Sequence, residues 1–254
     1  MTKPSKARIR QSFERAAPSY DKAATVQRQI CEILIEQLPA TTQAKRLLDA
    51  GCGTGFGLAL LKKRFPAALA IGLDLSPAML THTPESTLNL VGDLEQLPLP
   101  KHSVDLYWSS LAVQWCDLNK ALIEAQRVLR PQGTLALASL GPATFNELRS
   151  AFSGVDDHQH TLSFLAPEKI ETLAHAAGFT TVHLQKSIKT AHYRDFKTLL
   201  RAVKEVGANQ LGSGRRTSLM SRTHFDRAAN AYEQFRTTAG LPLTYDVITL
   251  TAQR

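Results

Sequence analysis

Arg46-Leu47-Leu48-Asp49-Ala50-Gly51-Cys52-Gly53-Thr54-Gly55-Phe56-Gly57 reads as a short apolar strand that ends at an acidic residue and runs into a glycine turn. A helix over Leu58–Phe65 follows at once. In open α/β sheets the ligand lies just beyond the carboxyl ends of the strands, and glycines there let backbone approach it closely. The turn therefore predicts both a parallel sheet around it and a ligand site on it.

Outward from the turn, apolar runs at Ala68–Leu75, Leu88–Val91, Ser103–Ser109 and Thr134–Leu140 alternate with helical stretches at Pro77–Thr83 and Leu118–Leu129. Pro131 and Gly133 are expected to stop the second of these helices. Near-continuous apolar strands belong in sheets covered by helices on both faces. Further on, Thr144–Phe152 and Pro167–Ala177 read as helices, with Gly178 as a stop, and Thr180–Tyr193 as a strand. Asp195–Val206 is an amphipathic helix, with Phe196, Leu199 and Val203 on one face and Lys197, Arg201 and Lys204 on another. Asn209–Ser218, with Gly212, Gly214, Arg215 and Arg216, reads as a mobile basic loop, Ser221–Thr237 as a helix and Thr244–Thr251 as a last strand. Before the turn, Ile9–Leu38 is helical with a break near Pro18. The expectation is an α/β fold: a doubly wound, mostly parallel, seven-stranded sheet in one domain spanning 1–254. Residues 1–44 form a helical lid, 45–140 the ligand-binding core, and 141–254 the acceptor-side helices and final strands.

The 254 residues are 43% hydrophobic and 20% charged, an ordinary globular balance. No apolar run approaches the roughly 20 residues that span a bilayer, and Met1–Arg10 lacks the apolar core of a signal peptide, so a cytoplasmic location with no membrane contact is expected. Cys31, Cys52 and Cys116 are too scattered for a disulfide framework or a metal cluster. The net charge of +8 points to an anionic partner. Nucleic acid is disfavoured, because the basic residues are dispersed and form no aromatic–basic stacking platform.

Spacing selects the ligand. A dinucleotide turn needs a glycine at its sixth position, but Phe56 or Leu58 stands there, and the Gly-Lys-Ser/Thr of a phosphate loop is absent. What remains is Asp49-x-Gly51-x-Gly53-x-Gly55, with Asp74 at the end of the second strand. This pattern resembles motif I of the class I S-adenosylmethionine-dependent methyltransferases. Backbone N–H groups of Gly51, Cys52, Gly53 and Gly55 suit the methionine carboxylate, and Asp49 suits its ammonium. Asp74 can accept both ribose hydroxyls. Leu75 and Met79 offer apolar sides to the adenine, and Asp93 of Gly92-Asp93-Leu94 an acceptor for its amino group. Gln29 in the lid and Ser109 at the end of the fourth strand complete the expected cofactor contacts. Cys52 is read as a small filler, not a nucleophile.

The segment after the fourth strand, Trp108 to Cys116, carries neither a DNA-methyltransferase Asn/Asp-Pro-Pro-Tyr/Phe run nor a Pro-Cys nucleophile. It also lacks His and Lys, which suits an acceptor that is already anionic. Here the chain resembles the malonyl-acyl-carrier-protein O-methyltransferases of biotin synthesis. The resemblance rests on Phe13-x-Arg15-Ala16-Ala17-x-x-Tyr20, Gln27-Arg28-Gln29, Leu111-Ala112-Val113-Gln114-Trp115-Cys116, Phe164-Leu165-x-Pro167, Lys204-x-x-Gly207-Ala208 and Pro242-Leu243-Thr244-Tyr245. Family members often carry proline where Thr54 stands. The resemblance implies methylation of the free carboxylate of a malonyl thioester on an acidic acyl-carrier protein or on coenzyme A. Other readings are a methyltransferase for another small acid or metabolite, and an RNA-modifying enzyme. For the malonyl end the candidates are Tyr20 in the lid, Arg201 and Lys204 on the amphipathic helix, and Gln114 beside an acyl channel.

Overall fold

One seven-stranded sheet organises the chain, described here for residues 4–206 and 220–254 in a computed structural model. Its strands are β1 (Arg46–Ala50), β2 (Leu69–Asp74), β3 (Leu88–Val91), β4 (Val104–Ser110), β5 (Leu129–Leu140), β6 (Thr180–Tyr193) and β7 (Leu241–Gln253). The spatial order is β3-β2-β1-β4-β5-β7-β6. Pairings from β3 to β5 are parallel, whereas β7 runs antiparallel to both β5 and β6. Strand order reverses between β1 and β4, so the crevice of a doubly wound sheet opens beyond their carboxyl ends, where the glycine turn lies.

Helices α1 (Lys6–Ala16), α2 (Tyr20–Ala23) and α3 (Thr25–Glu36) precede β1, and α4 (Phe56–Arg64) and α5 (Pro77–Leu80) flank β2. Then come α6 (Leu118–Val128), α7 (Asn146–Ser153), α8 (Pro167–Ala176), α9 (Phe196–Glu205) and α10 (Arg222–Glu233). Because strand side chains alternate, neighbours in β1 serve opposite layers. Leu47 packs in one cluster with Ile30 and Leu34 of α3 and Leu61 of α4, and Leu48 in another with Leu118 and Leu122 of α6. No helix among the described residues is long and apolar enough to cross a membrane.

Several boundaries differ from expectation for local reasons. The N-terminal segment is three helices, interrupted after Ala16 and again at Ala24. Gly55, at φ +89°, is the N-cap of α4, which therefore starts at Phe56 instead of Leu58. Pro131 and Gly133 do not end the structure after α6: they lie within β5, which begins at Leu129. The β4–β5 register slips between Val104 and Leu106, so the residues unsuited to a ladder fall where it is broken. Asp195 caps α9 by accepting the Thr198 N–H at 2.7 Å. Gly207-Ala208 and the Asn209–Ser218 loop lie outside the described residues.

Candidate active site

A two-lobed cavity lies at the switch point, roofed by α1 and α2. The outer lobe is lined by Asp74, Leu75, Asp93 and Leu94 at and just past strand ends, by Met79 of α5 and by Lys6, Ile9 and Phe13 from α1. The inner lobe is lined by Asp49, Cys52, Thr54 and Trp108 below and by Gln27, Arg28 and Cys31 of α3. Tyr20, Gly51, Gly53, Ser110 and Leu111 border both lobes and mark the junction.

Gly51, at φ +79°, occupies a cradle: a Cβ there would lie 2.2 Å from the Ala112 Cβ. The Gly53 N–H donates to Asp74 Oδ2 at 2.9 Å and the Ser76 N–H to Oδ1 at 2.8 Å, which fixes this carboxylate at the mouth of the turn. Each oxygen keeps acceptor capacity for a further donor. Burial raises the Asp74 carboxyl above its usual range, and those backbone N–H groups oppose the rise.

Asp49 differs. It is 2% exposed, and burial, followed by the Asp74 charge, pushes its carboxyl up to about 8. Gly57 makes room for it, since a Cβ there would stand 2.6 Å from Asp49 Oδ2 and 3.0 Å from Trp108 Nε1. Arg28 Nε and Trp108 Nε1, both in the inner lobe, are buried without a hydrogen-bond partner among the described residues. Buried polar atoms are normally paired, so orphaned donors beside an unpaired acid describe a receptor for a zwitterion.

The lid is tied down at both ends. Lys6 Nζ lies 2.8 Å from Asp93 Oδ1, 2.5 Å from Glu95 Oε1 and 3.6 Å from Cys116 Sγ. Burial works against the Lys6 charge, but the Asp93 and Glu95 carboxylates outweigh it and hold the ammonium above its ordinary value. At the other end the Thr54 hydroxyl donates to Asp21 Oδ1 at 2.7 Å. Phe13 meets Trp115 edge to face at 5.7 Å. Tyr20 roofs the glycine turn, its Cε1 4.0 Å from where a Gly53 Cβ would be. Burial, then the Cys31, Asp74 and Asp21 charges, holds its phenol well above the ordinary value, so the hydroxyl stays protonated at neutral pH and able to donate.

Thus the cavity gathers Tyr20, Asp49, Gly51, Cys52, Gly53, Asp74, Leu75, Met79, Asp93 and Leu94. Seven other residues expected at the site line neither lobe. Gln29 is exposed on the far side of α3, where Gln27 and Arg28 face the lobe instead. Ser109 is buried with its hydroxyl on the Ala50 carbonyl at 2.7 Å, and the adjacent Ser110 takes the cavity side. Gly55 and Gly92 shape the backbone outside both lobes, packed against Thr83 and Pro84 and against Leu73 and Pro98. Gln114 donates to the Leu111 carbonyl at 2.7 Å and lines neither lobe. Arg201 and Lys204 are exposed on a separate groove. Burial raises the Cys52 thiol well above its ordinary value, in keeping with a filler.

The sequence did not single out Lys6, Arg28, Trp108 or Leu111 as site residues. Leu111 has φ +55°, a conformation that few residues other than glycine adopt, and its strain at the junction was the one clue no sequence pattern carries. Beyond β5 a more open cavity of about 450 Å³ is lined by Arg149, Phe152, His160 and Phe164, with His160 Nε2 2.8 Å from Asp156 Oδ1 and its ring stacked on Phe152 at 3.6 Å.

The chemistry of the lining residues suits S-adenosylmethionine. The outer lobe offers acceptors for the ribose diol (Asp74) and adenine amino group (Asp93), and the inner lobe offers an acid for the ammonium and a cation for the carboxylate. A methyltransferase-domain family model matches residues 48–137. The malonyl-[acyl-carrier protein] O-methyltransferase of Dechloromonas aromatica is 63% identical over all of this chain and 96% of its own length. The chain belongs to this family. Members also occur fused in longer proteins: the biotin biosynthesis bifunctional protein BioHC of Cellvibrio japonicus is 35% identical over 95% of this chain, which spans 49% of that protein. At the level of fold, a structure of a SAM-dependent methyltransferase, possible histamine N-methyltransferase, from Thermotoga maritima superposes with a TM-score of 0.58 at 17% identity, covering 96% of this chain and 99% of that one.

Arg28 provides a direct check of the inner lobe. Arg28→Ala is expected to weaken S-adenosylhomocysteine binding by about 10- to 100-fold in calorimetric titration, the range for a hydrogen bond between charged groups. Arg28→Lys should recover only part of this, because the side-on guanidinium donor is lost.

Proposed function

We propose that the protein transfers a methyl group from S-adenosylmethionine to the free carboxylate of a malonyl thioester on acyl-carrier protein, with malonyl-coenzyme A as an alternative acceptor. The observation that carries this reading is the extent of the match: the 63% identity runs the full chain, lid and acceptor-side helices included, beyond the 48–137 core common to methyltransferases.

When bound, S-adenosylmethionine supplies a methyl group on a positively charged sulfur. A malonyl carboxylate is ionised at neutral pH, so its oxygen attacks without a general base; a C–O bond forms as the S–C bond breaks. The chain's residues then have three tasks. Asp74, Asp93, Asp49 and Arg28 hold the donor, so the reacting atoms meet in one geometry. The lid, clamped by Lys6 and the Thr54–Asp21 bond, excludes water and so strips the carboxylate of its hydration. Tyr20, at the junction of the lobes, donates to the carboxylate oxygen that is not attacking and keeps the other aimed at the methyl group.

Mass spectrometry of malonyl-carrier protein incubated with enzyme and donor tests the function. One added methyl group, removed by an esterase, is expected; methylation only of unrelated acids overturns the reading. Within it, Tyr20→Phe should lower kcat by about 10- to 100-fold with the S-adenosylhomocysteine Kd unchanged, since one hydrogen bond to a charged group is lost. An unchanged kcat would remove Tyr20 from the mechanism.

A further inference from the structure

Arg201 and Lys204 gain a different meaning from their neighbours. With Ser12, Arg15 and Ser19 of the lid segment, and with Glu205, they line a surface groove of about 300 Å³. Phe196, Leu199 and Val203, spaced by three and four, bury one face of α9 in the core, so Arg201 and Lys204, which lie off that stripe, are turned outward. Arg15, Arg201 and Lys204 are all exposed, and none forms an ion pair among the described residues, although Arg10 one turn earlier in α1 is paired with Glu14 at 2.8 Å. A charged face on one helix is ordinary. Here two elements distant in sequence converge three cations against a single carboxylate, Glu205, a mutual repulsion that an anionic partner relieves. Ser19, which also lines the groove, is one residue from Tyr20 at the lobe junction.

We propose that this groove is the docking surface for the acceptor's carrier protein, whose carboxylates pair with Arg15, Arg201 and Lys204. The inference rests on the malonyl-carrier reading and adds where the carrier sits. Because one wall belongs to the lid and the other to α9, a docked carrier bridges them and holds the lid over the donor. Carrier and donor then strengthen one another's binding, by the same factor in each direction.

The test is titration of malonyl-carrier protein into enzyme saturated with S-adenosylhomocysteine. Arg201→Glu combined with Lys204→Glu is expected to raise the carrier Kd by about tenfold or more and to flatten its salt dependence. The variant's melting temperature and its S-adenosylhomocysteine Kd, measured without carrier, should stay at the wild-type values. Arg201→Lys should bind carrier almost normally, because rim pairing needs charge more than geometry. A carrier Kd unchanged in the double variant overturns the groove, as does an equal loss of S-adenosylhomocysteine affinity, which would mean general damage. Wild-type enzyme that neither binds nor methylates malonyl-carrier protein would overturn the acceptor reading itself.

Discussion

Asp49→Asn is expected to abolish cofactor binding while making the ligand-free protein more stable. The wild-type carboxyl is held near 8 by burial and by Asp74, whereas in the unfolded chain it ionises near its ordinary value of 3.8. A group raised on folding contributes stability that is complete below the unfolded value and lost as pH rises through the folded one. The ligand-free wild type therefore loses stability between about pH 4 and pH 8, and asparagine removes that loss. A tenfold preference for the neutral form is worth about 1.4 kcal/mol, and 1 kcal/mol moves the melting temperature by about 2–4 °C in a chain of this size. A gain of several degrees at pH 8, shrinking to nothing near pH 4, should appear in thermal melts. The affinity for S-adenosylhomocysteine should rise with pH between about 6 and 8 in wild type, because the acid must ionise to take the ammonium. In Asp49→Asn the affinity should fall by about 100-fold or more and lose that slope. A variant that binds normally would remove Asp49 from the site. The opposed outcomes are what a preorganised site predicts: its charge is costly until the ligand arrives.

Gly51→Ala is expected to be nearly as damaging, through geometry alone. The new methyl would stand 2.2 Å from the Ala112 Cβ, in a backbone conformation of φ +79°. Left-handed backbone costs a non-glycine residue about 1–2 kcal/mol, and overpacking against an immobile neighbour about 1–3 more. Ala112 has no rotamer to yield, so either the glycine turn or the segment after β4 has to move, and both border the two lobes. The melting temperature should drop by several degrees, and S-adenosylhomocysteine binding should fall below detection in calorimetry. Gly154→Ala is the matched control: nothing lies within 4 Å of its Cβ position, at the end of α7. It should leave both measurements unchanged.

The core of the site was legible because it is local. Asp49, Gly51, Gly53, Asp74, Leu75 and Asp93 sit at or just past the ends of consecutive strands, and strand ends can be read from where apolar runs stop. Two of the misplaced residues fail by one position in ways that periodicity explains. Ser109 and Ser110 are adjacent on β4, and neighbours on a strand point to opposite faces. Gln29 follows Arg28 on α3, where one residue is about 100° of rotation. In both cases the element was right and its face was not.

The sequence by itself determined the doubly wound sheet, the switch point and the chemistry of the donor lobe, since each follows from the order of elements and from residues bonded to neighbours a few positions away. Only the tertiary structure decided what the lid does. Lys6 reaches Asp93 across 87 positions, Thr54 reaches Asp21 across 33, and Arg15 comes to line one groove with Arg201 and Lys204. Such contacts depend on how a helix with several exposed polar faces is rolled onto the sheet. For α1 that roll is set by the packing of Phe13, Ala16 and Ala17 against Met79 of α5, not by any pattern within the helix itself.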